Sequence, residues 1–352
     1  MADRIYLDHA ATTPMLPGAM AATDAGMRRW ANPSSPHAEG RAARAALEEA
    51  RAAIGTAYGW DHEVILTSGA SESLAIAMTR AMVPGRAVTA VEHDAVMRLS
   101  EGATVLPVDS GGLLADADFA PRTLVTVQWA NSETGVRQPI AEIAARVHEA
   151  ESLLLIDAAQ MPAYADPEVM AHADFVAVSA HKRGGPPGIG ALLVRDFATL
   201  SPTGGQERGY RPGTENLPGA LGYAAALGEP EPLGRYEGLR ALLDEAIVAA
   251  GGELVAAASP RHKAIGAYRM RGVASAAALI QFDSAGFAVS AGSACASGSL
   301  KPSHVLRAMG MSDDAVREVV RVSFGRTTTE AEVEAFAAAW RSVARERRRI
   351  LV

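Results

Sequence analysis

Two hydrophobic rhythms alternate along this chain. Short apolar runs of the strand kind recur at Val64–Thr67, Ala87–Ala90, Thr104–Pro107, Leu124–Gln128, Leu153–Ile156, Phe175–Val178 and Ala191–Val194. Alanine-rich stretches lie between them. The clearest runs from Pro36 to Ala57, with Ala43, Ala46, Leu47, Ala50 and Ile54 on one helical stripe. Another runs roughly from Ser71 to Met82. Strands alternating with helices predict an α/β fold with a mostly parallel seven-stranded sheet sandwiched by helices. From about Gly219 the rhythm changes to a helical segment, glycine-broken strands and a final amphipathic helix from about Glu330. This predicts a large domain over 15–218 and a smaller α+β domain built from 1–14 and 219–352.

Composition narrows the function classes. The 352 residues carry a net charge of -7, which gives no basis for a nucleic-acid or acidic-membrane partner. No run of about twenty apolar residues is present, and the N-terminal Met1-Ala-Asp-Arg-Ile-Tyr lacks a signal-peptide pattern, so a cytoplasmic protein is expected. The single cysteine, Cys295, excludes an intrachain disulfide and an all-cysteine metal site. No metal site is expected. Cys295 is then either an inert buried thiol or a working one. Its surroundings, Ser290-Ala-Gly-Ser-Ala-Cys-Ala-Ser-Gly-Ser299, are those of an accessible loop rather than a core, which favours a working thiol.

The chain holds only three lysines, and Lys182 sits between a histidine and a glycine-rich turn in Ser179-Ala-His-Lys-Arg-Gly-Gly185. Arginine stays protonated; a lysine held near its neutral form is an amine nucleophile. Asp157 ends the run Leu153-Leu-Leu-Ile, and Lys182 follows Phe175–Ser179, with room for a crossover helix between. The two strands should be parallel, which brings both residues to carboxyl ends where α/β sheets bind ligands. A lysine and a carboxylate in one crevice are the minimum set for pyridoxal phosphate. Thr67-Ser-Gly-Ala-Ser-Glu-Ser73 joins a strand to a helix N-terminus, either an ordinary serine cap at Ser71 or an anion site; Ser179 and His181 offer further donors. His93, just after a strand, is a candidate for ring stacking and proton transfer. Arg326, at the end of Val320-Arg-Val-Ser-Phe-Gly-Arg326, suits a substrate carboxylate. Gly188-Ile-Gly190 leads into a strand rather than a helix, so it is not a dinucleotide fingerprint.

Taken together the motifs resemble the cysteine desulfurases, within the class V, fold type I pyridoxal phosphate enzymes. The matching stretches are Tyr6-Leu-Asp-His-Ala-Ala-Thr-Thr-Pro14, Asn32-Pro-Ser-Ser-Pro-His37, Ser68-Gly-Ala-Ser-Glu-Ser73, Glu92-His93, Asn131-Ser-Glu-Thr-Gly135, Asp157-Ala-Ala-Gln160, Ser179-Ala-His-Lys182, Arg211-Pro-Gly-Thr-Glu-Asn216, Ser293-Ala-Cys295 with Leu300–Arg307, and Ser323-Phe-Gly-Arg326. They occur in family order along nearly the whole chain.

The resemblance implies roles by position. Lys182 would hold the cofactor and shuttle protons, with Asp157 on the pyridine nitrogen, Gln160 on the phenolic oxygen and His93 on the ring. Ala70, Ser71, Ser179 and His181 would bind phosphate, joined by Thr214 from the second subunit of a homodimer. Arg326, with Asn32 and Asn131, would hold the carboxylate of L-cysteine. Cys295 would take the sulfur as a persulfide, release alanine and pass the sulfur to an acceptor or scaffold protein, as in the branch with a long mobile cysteine loop. Three departures stand out: Ser132 replaces the second Asn of the family's Asn-Asn-Glu and would face the cofactor, Gly185-Pro-Pro-Gly188 replaces Gly-Pro-Lys-Gly, and the stretch around Gly251–Asp283 is short. Another class V enzyme, an aminotransferase or selenocysteine lyase, and a noncatalytic partner protein of the same fold are the competing readings.

Overall fold

The computed structural model describes residues 4–164, 166–291 and 302–350. Cys295 lies outside the described residues. The seven apolar runs are the seven strands of one sheet, in the order Glu63–Thr67, Gly190–Val194, Phe175–Ser179, Leu153–Asp157, Thr123–Gln128, Gly85–Thr89 and Thr104–Leu106. Every pairing is parallel except those of Gly190–Val194, which runs against both neighbours.

Runs such as Leu153-Leu-Leu-Ile show no polar alternation because both faces of the sheet are covered. Leu154, Ile156, Val176 and Val178 pack toward the helix Ala38–Ala57, against Leu47 and Ile54. Leu155, Phe175 and Ala177, one residue out of step, pack the opposite face with Leu74 and Ala77 of the helix Ala70–Arg80. The strand period of two therefore divides one apolar run between two cores. The predicted helix from Pro36 begins at Ala38, where His37 caps it by accepting from the Gly40 amide. That predicted to reach Met82 stops at Arg80, because Ala81 bridges Leu200 and the Met82 amide turns to the Thr199 carbonyl.

A second sheet, Ser290–Ala291, Val319–Ser323, Ile265–Arg269 and Glu253–Leu254, is antiparallel throughout. Its core is aromatic, with Tyr236, Tyr268, Phe282, Phe336 and Trp340 all fully buried between the helices Leu233–Ala249, Ser275–Ser284 and Glu330–Ile350. The N-terminal strand Ile5–Tyr6 pairs in parallel with Phe287–Ala288, and Leu7 joins this aromatic core. The chain then crosses to the large sheet, where Thr13 and Leu16 donate to the carbonyls of His181 and Gly184.

Candidate active site

The parallel register Gln128 to Asp157 to Ala177 places Asp157 at the carboxyl edge, one strand from Ser179. The antiparallel strand makes the second alignment: Gly190 is the partner of both Ser179 and Thr67, so the turn after Thr67 arrives beside Ser179. Two glycines allow this approach. A Cβ on Gly190 would lie 2.6 Å from the Gly69 Cα and 2.5 Å from the Val178 carbonyl oxygen. Gly69 itself has φ of 149°, a region that side chains disfavour, and launches the helix Ala70–Arg80.

The result is a cavity of about 450 Å³, the size of a small-molecule site. Its wall includes Ala70, Ser71, His93, Ser132, Asp157, Gln160, Ser179, His181 and Lys182, so nine of the residues singled out in the sequence converge on one space. Gln128 also lines it and carries no motif signal.

Lys182 is half-buried, and its Nζ donates to the Ala10 carbonyl oxygen at 2.7 Å. Burial is the main force pushing its amine down to about 7, with the Arg321 guanidinium adding to it and Asp157 opposing. Neutral amine is thus plentiful at physiological pH. Gln160 Nε2 donates to the same Ala10 oxygen at 2.9 Å. Asp157 is 7% exposed, and its Oδ1 accepts from the Ala159 amide at 3.0 Å. His93 caps the short helix Asp94–Met97, its Nδ1 accepting from the Ala95 amide at 3.1 Å. That bond keeps the ring proton on Nε2, and burial lowers the imidazole's pKa. His181 is likewise held down to about 4, first by burial and then by Lys182 and Arg183, so it is a neutral donor and acceptor.

The helix Ala70–Arg80 has no side-chain cap on its first turn. Its leading amides and the positive end of its dipole meet the cavity wall at Ala70 and Ser71. The serine at position 71 is therefore not serving as the cap; Gly69 holds that place. Glu72 also lines the cavity, where its carboxylate pairs with Arg211, 3.1 Å from its Oε2, and accepts from the Ser68 amide.

Four sequence-based assignments are not brought into this cavity. Arg326 lies three residues past its strand and is spent on backbone: it donates to the Arg183 carbonyl at 3.0 Å and the Glu229 carbonyl at 2.7 Å. It walls a separate small void instead. Asn131 is 3% exposed and ties its own turn, donating to the Val91 carbonyl and accepting from the Glu133 and Thr134 amides. Asn32 is exposed and accepts from the Ser34 amide. Thr214 is exposed, away from the cavity of its own chain.

Arg321 is the residue that the motif reading passed over. Within Val319–Ser323 the neighbours Val320 and Val322 enter the aromatic core, so Arg321 emerges on the other face. It donates to the Ser132 carbonyl at 3.0 Å and pairs with Asp8 at 2.6 Å. It is 4% exposed, and its Nε has no partner among the described residues. A lone guanidinium inside a run of β-branched residues was the available signal.

Ser303 and His304 are fastened to the chain neighbours of Ser132 and His93. Ser303 Oγ donates to Glu133 Oε2 at 2.6 Å, and His304 Nε2 meets the Glu92 carbonyl oxygen at 2.8 Å. Burial pushes the Glu133 carboxyl up to about 7 and that of Glu92 up to about 8.

A model of the class-V aminotransferases matches residues 5–336. The chain belongs to that family. Within it the chain is 37% identical to the cysteine desulfurase of Cereibacter sphaeroides, covering 94% of this chain and 93% of that protein. It is 38% identical to an IscS-like cysteine desulfurase of Mycobacterium tuberculosis, with the same coverage of 94% and 93%. A NifS-like protein from Rickettsia africae superposes with a TM-score of 0.83 at 27% identity, over 97% of this chain and 99% of that one. The protein SspA, solved in complex with cysteine, superposes at 0.78 with 28% identity, over 92% and 100%. These class-V aminotransferases are pyridoxal phosphate enzymes of fold type I, and the seven-stranded sheet described above is that architecture. Among the described residues no helix is long and apolar enough to cross a membrane, and no group of His, Cys, Asp and Glu is placed to hold a metal.

Proposed function

We propose that this protein is a pyridoxal phosphate-dependent cysteine desulfurase that converts L-cysteine to L-alanine and leaves a persulfide on Cys295. One observation carries the reading: the Lys182 amine, the Asp157 carboxylate and an uncapped helix N-terminus share one cavity. This donor set fits the cofactor's aldehyde, ring nitrogen and phosphate. The leading amides of Ala70–Arg80 with Ser71, Ser179 and His181 would hold the phosphate. Asp157 would meet the ring nitrogen, Gln160 the phenolic oxygen and His93 the ring face; Ser132 would face the cofactor where relatives carry a longer amide. When bound, the cofactor supplies an electron sink for a carbanion at the substrate Cα.

The remaining chemistry falls to the chain's own side chains. Arg321, with its free Nε, takes the L-cysteine carboxylate in place of Arg326. Lys182 Nζ, near neutrality at physiological pH, moves the proton to and from the substrate Cα. His93, its proton held on Nε2, handles the proton of the substrate thiol. The Cys295 sulfur forms a bond to the substrate sulfur as the substrate Cβ–S bond breaks, and the carbon skeleton leaves as alanine. Thr214, exposed here, would complete the phosphate site of a second copy in a homodimer, and Asn32 would act near the substrate of that site. A sulfur-acceptor or scaffold protein would take the sulfur onward in the cytoplasm, for iron–sulfur clusters or another thio-cofactor.

Alanine and sulfide formed from cysteine, measured for wild type and Cys295→Ala alongside the visible spectrum, test this reading. A yellow protein that loses desulfuration on the substitution supports it. A yellow protein indifferent to the change is an aminotransferase or selenocysteine lyase instead, and a colourless one unable to take pyridoxal phosphate is a noncatalytic relative.

A further inference from the structure

The cavity carries a negative charge that the cofactor reading leaves without a purpose. Glu72 lines it from the first turn of the helix Ala70–Arg80, beside Ser71. Burial by itself would raise this carboxyl, but the Ser68 amide and Arg211 outweigh burial and hold it below the usual carboxylate range, so it is an anion. An anion at this place opposes the amides and the dipole that would attract a phosphate. The side chains assigned to the phosphate do not offset it: Ser71 and Ser179 are uncharged, and His181 is held down to about 4 by burial and then by Lys182.

Arg211 supplies the missing positive charge. Its Nε donates to both Glu72 oxygens, at 3.2 and 3.1 Å, although Arg211 itself does not line the cavity. The two side chains are 18% and 31% exposed, so solvent and salt screen the pair less than a surface one. The surrounding chain keeps the guanidinium in place. Arg80, at the other end of the same helix, donates to the Tyr210 carbonyl at 2.9 Å and to Thr203 Oγ1 at 3.0 Å. Glu207 accepts from the buried Arg51 and from the Leu66 amide at 2.8 Å. Residues 203–211 are thus fastened to the helix and to the first strand of the sheet independently of Glu72.

We propose that Arg211 is a positioning residue for the cofactor phosphate: by pairing with Glu72 it cancels the repulsion of a carboxylate at the helix N-terminus and leaves the helix amides and dipole free to hold the anion. The proposal rests on the cofactor reading above. It does not require Arg211 to touch the phosphate.

Pyridoxal has the aldehyde but lacks the phosphate, and so separates this effect from a general loss of structure. Both compounds are titrated by absorbance into the cofactor-free full chain, and the ratio of their dissociation constants reads the phosphate contribution. Arg211→Met should weaken pyridoxal phosphate about tenfold at low salt and leave pyridoxal unchanged; raising KCl to about 1 M should shrink that loss. Adding Glu72→Gln to Arg211→Met should restore the ratio, because the glutamine oxygen still accepts the Ser68 amide and no charge remains to repel. A ratio unchanged in Arg211→Met, or one that the double variant fails to restore, overturns the proposal and leaves the cofactor reading standing. A wild type that takes neither compound overturns both. If Arg211→Met does not fold, Glu72→Gln alone decides: unmasking the guanidinium should tighten pyridoxal phosphate severalfold without affecting pyridoxal, and an unchanged ratio overturns the proposal.

Discussion

Lys182 Nζ rests 2.7 Å from the carbonyl oxygen of Ala10, on a segment whose Asp8 bridges Ser323 of the second sheet. The amine is thereby held at the cavity wall by the crossing chain, with Gln160 sharing the same acceptor. An aldehyde cofactor would have to draw the amine off this oxygen. Because burial and Arg321 lower its pKa to about 7, the neutral, reactive fraction rises as pH increases through that value rather than through 10.5. The rate at which cofactor-free protein captures pyridoxal phosphate, followed by absorbance, is expected to climb between about pH 6 and 8 and then level. Lys182→Ala and Lys182→Arg should both lose the absorbance band. A capture rate still rising steeply at pH 9 would contradict the lowered pKa.

Arg321 and Arg326 separate cleanly by mutation. Arg321→Lys removes the fork beside Ser132 and should raise the KM for cysteine roughly 10–100-fold, the scale of one charge-assisted carboxylate contact. Arg326→Lys, which disturbs the contacts to the Arg183 and Glu229 carbonyls and the pairing with Glu231, should lower the thermal midpoint with little change in KM. Steady-state kinetics on both variants decides. The reverse pattern would restore Arg326 as the carboxylate residue.

Glu92 is fully buried, accepts from Thr89 Oγ1 and the Gln128 amide, and leaves Oε2 unpartnered. Burial raises its carboxyl from 4.5 to about 8, with Asp157 adding repulsion. Across that window the folded protein keeps a proton the unfolded chain has lost, so this group makes stability fall as pH rises, by at most about 1.4 kcal/mol per pH unit. Above about 8 its effect levels off. Denaturant midpoints of Glu92→Gln, measured from pH 5 to 9, should show a shallower decline than wild type. Parallel curves would remove Glu92 from the account.

Gly190→Ala tests the strand junction. The added Cβ meets two backbones, Gly69 and Val178, neither able to rotate aside. A loss of about 1–3 kcal/mol in stability is expected, together with weaker phosphate binding as the Ser68–Ser71 turn is pushed out. Equilibrium unfolding and pyridoxal phosphate titration check both halves.

Much of this molecule was legible along the chain. All seven strands stand where apolar runs mark them, because the inner strands are covered on both faces and have to be continuously apolar. Asp157 and Lys182 could be paired from spacing, since a strand end followed by a crossover helix leaves little freedom in where the next strand finishes. Arg326, read from the sequence as a strand end, lies three residues past the strand and bonds the Arg183 and Glu229 carbonyls. Position in a motif does not say which face of a strand a side chain leaves, and the alternation about Val320 and Val322 turns Arg321 away from the aromatic core to the Ser132 carbonyl. The hydrogen bonds by which Asn131 closes its own turn are likewise invisible in the motif.

The order of residues by itself determined the fold class, the family and nine side chains of the cavity wall, because hydrophobic period and local motif are properties of neighbours in the chain. Only the tertiary structure decided that the Ala10 carbonyl holds the lysine and that Arg321 reaches the Ser132 carbonyl of the cavity wall. Those relations join segments more than a hundred residues apart, and burial, which sets the pKa of the lysine, exists only once they have met.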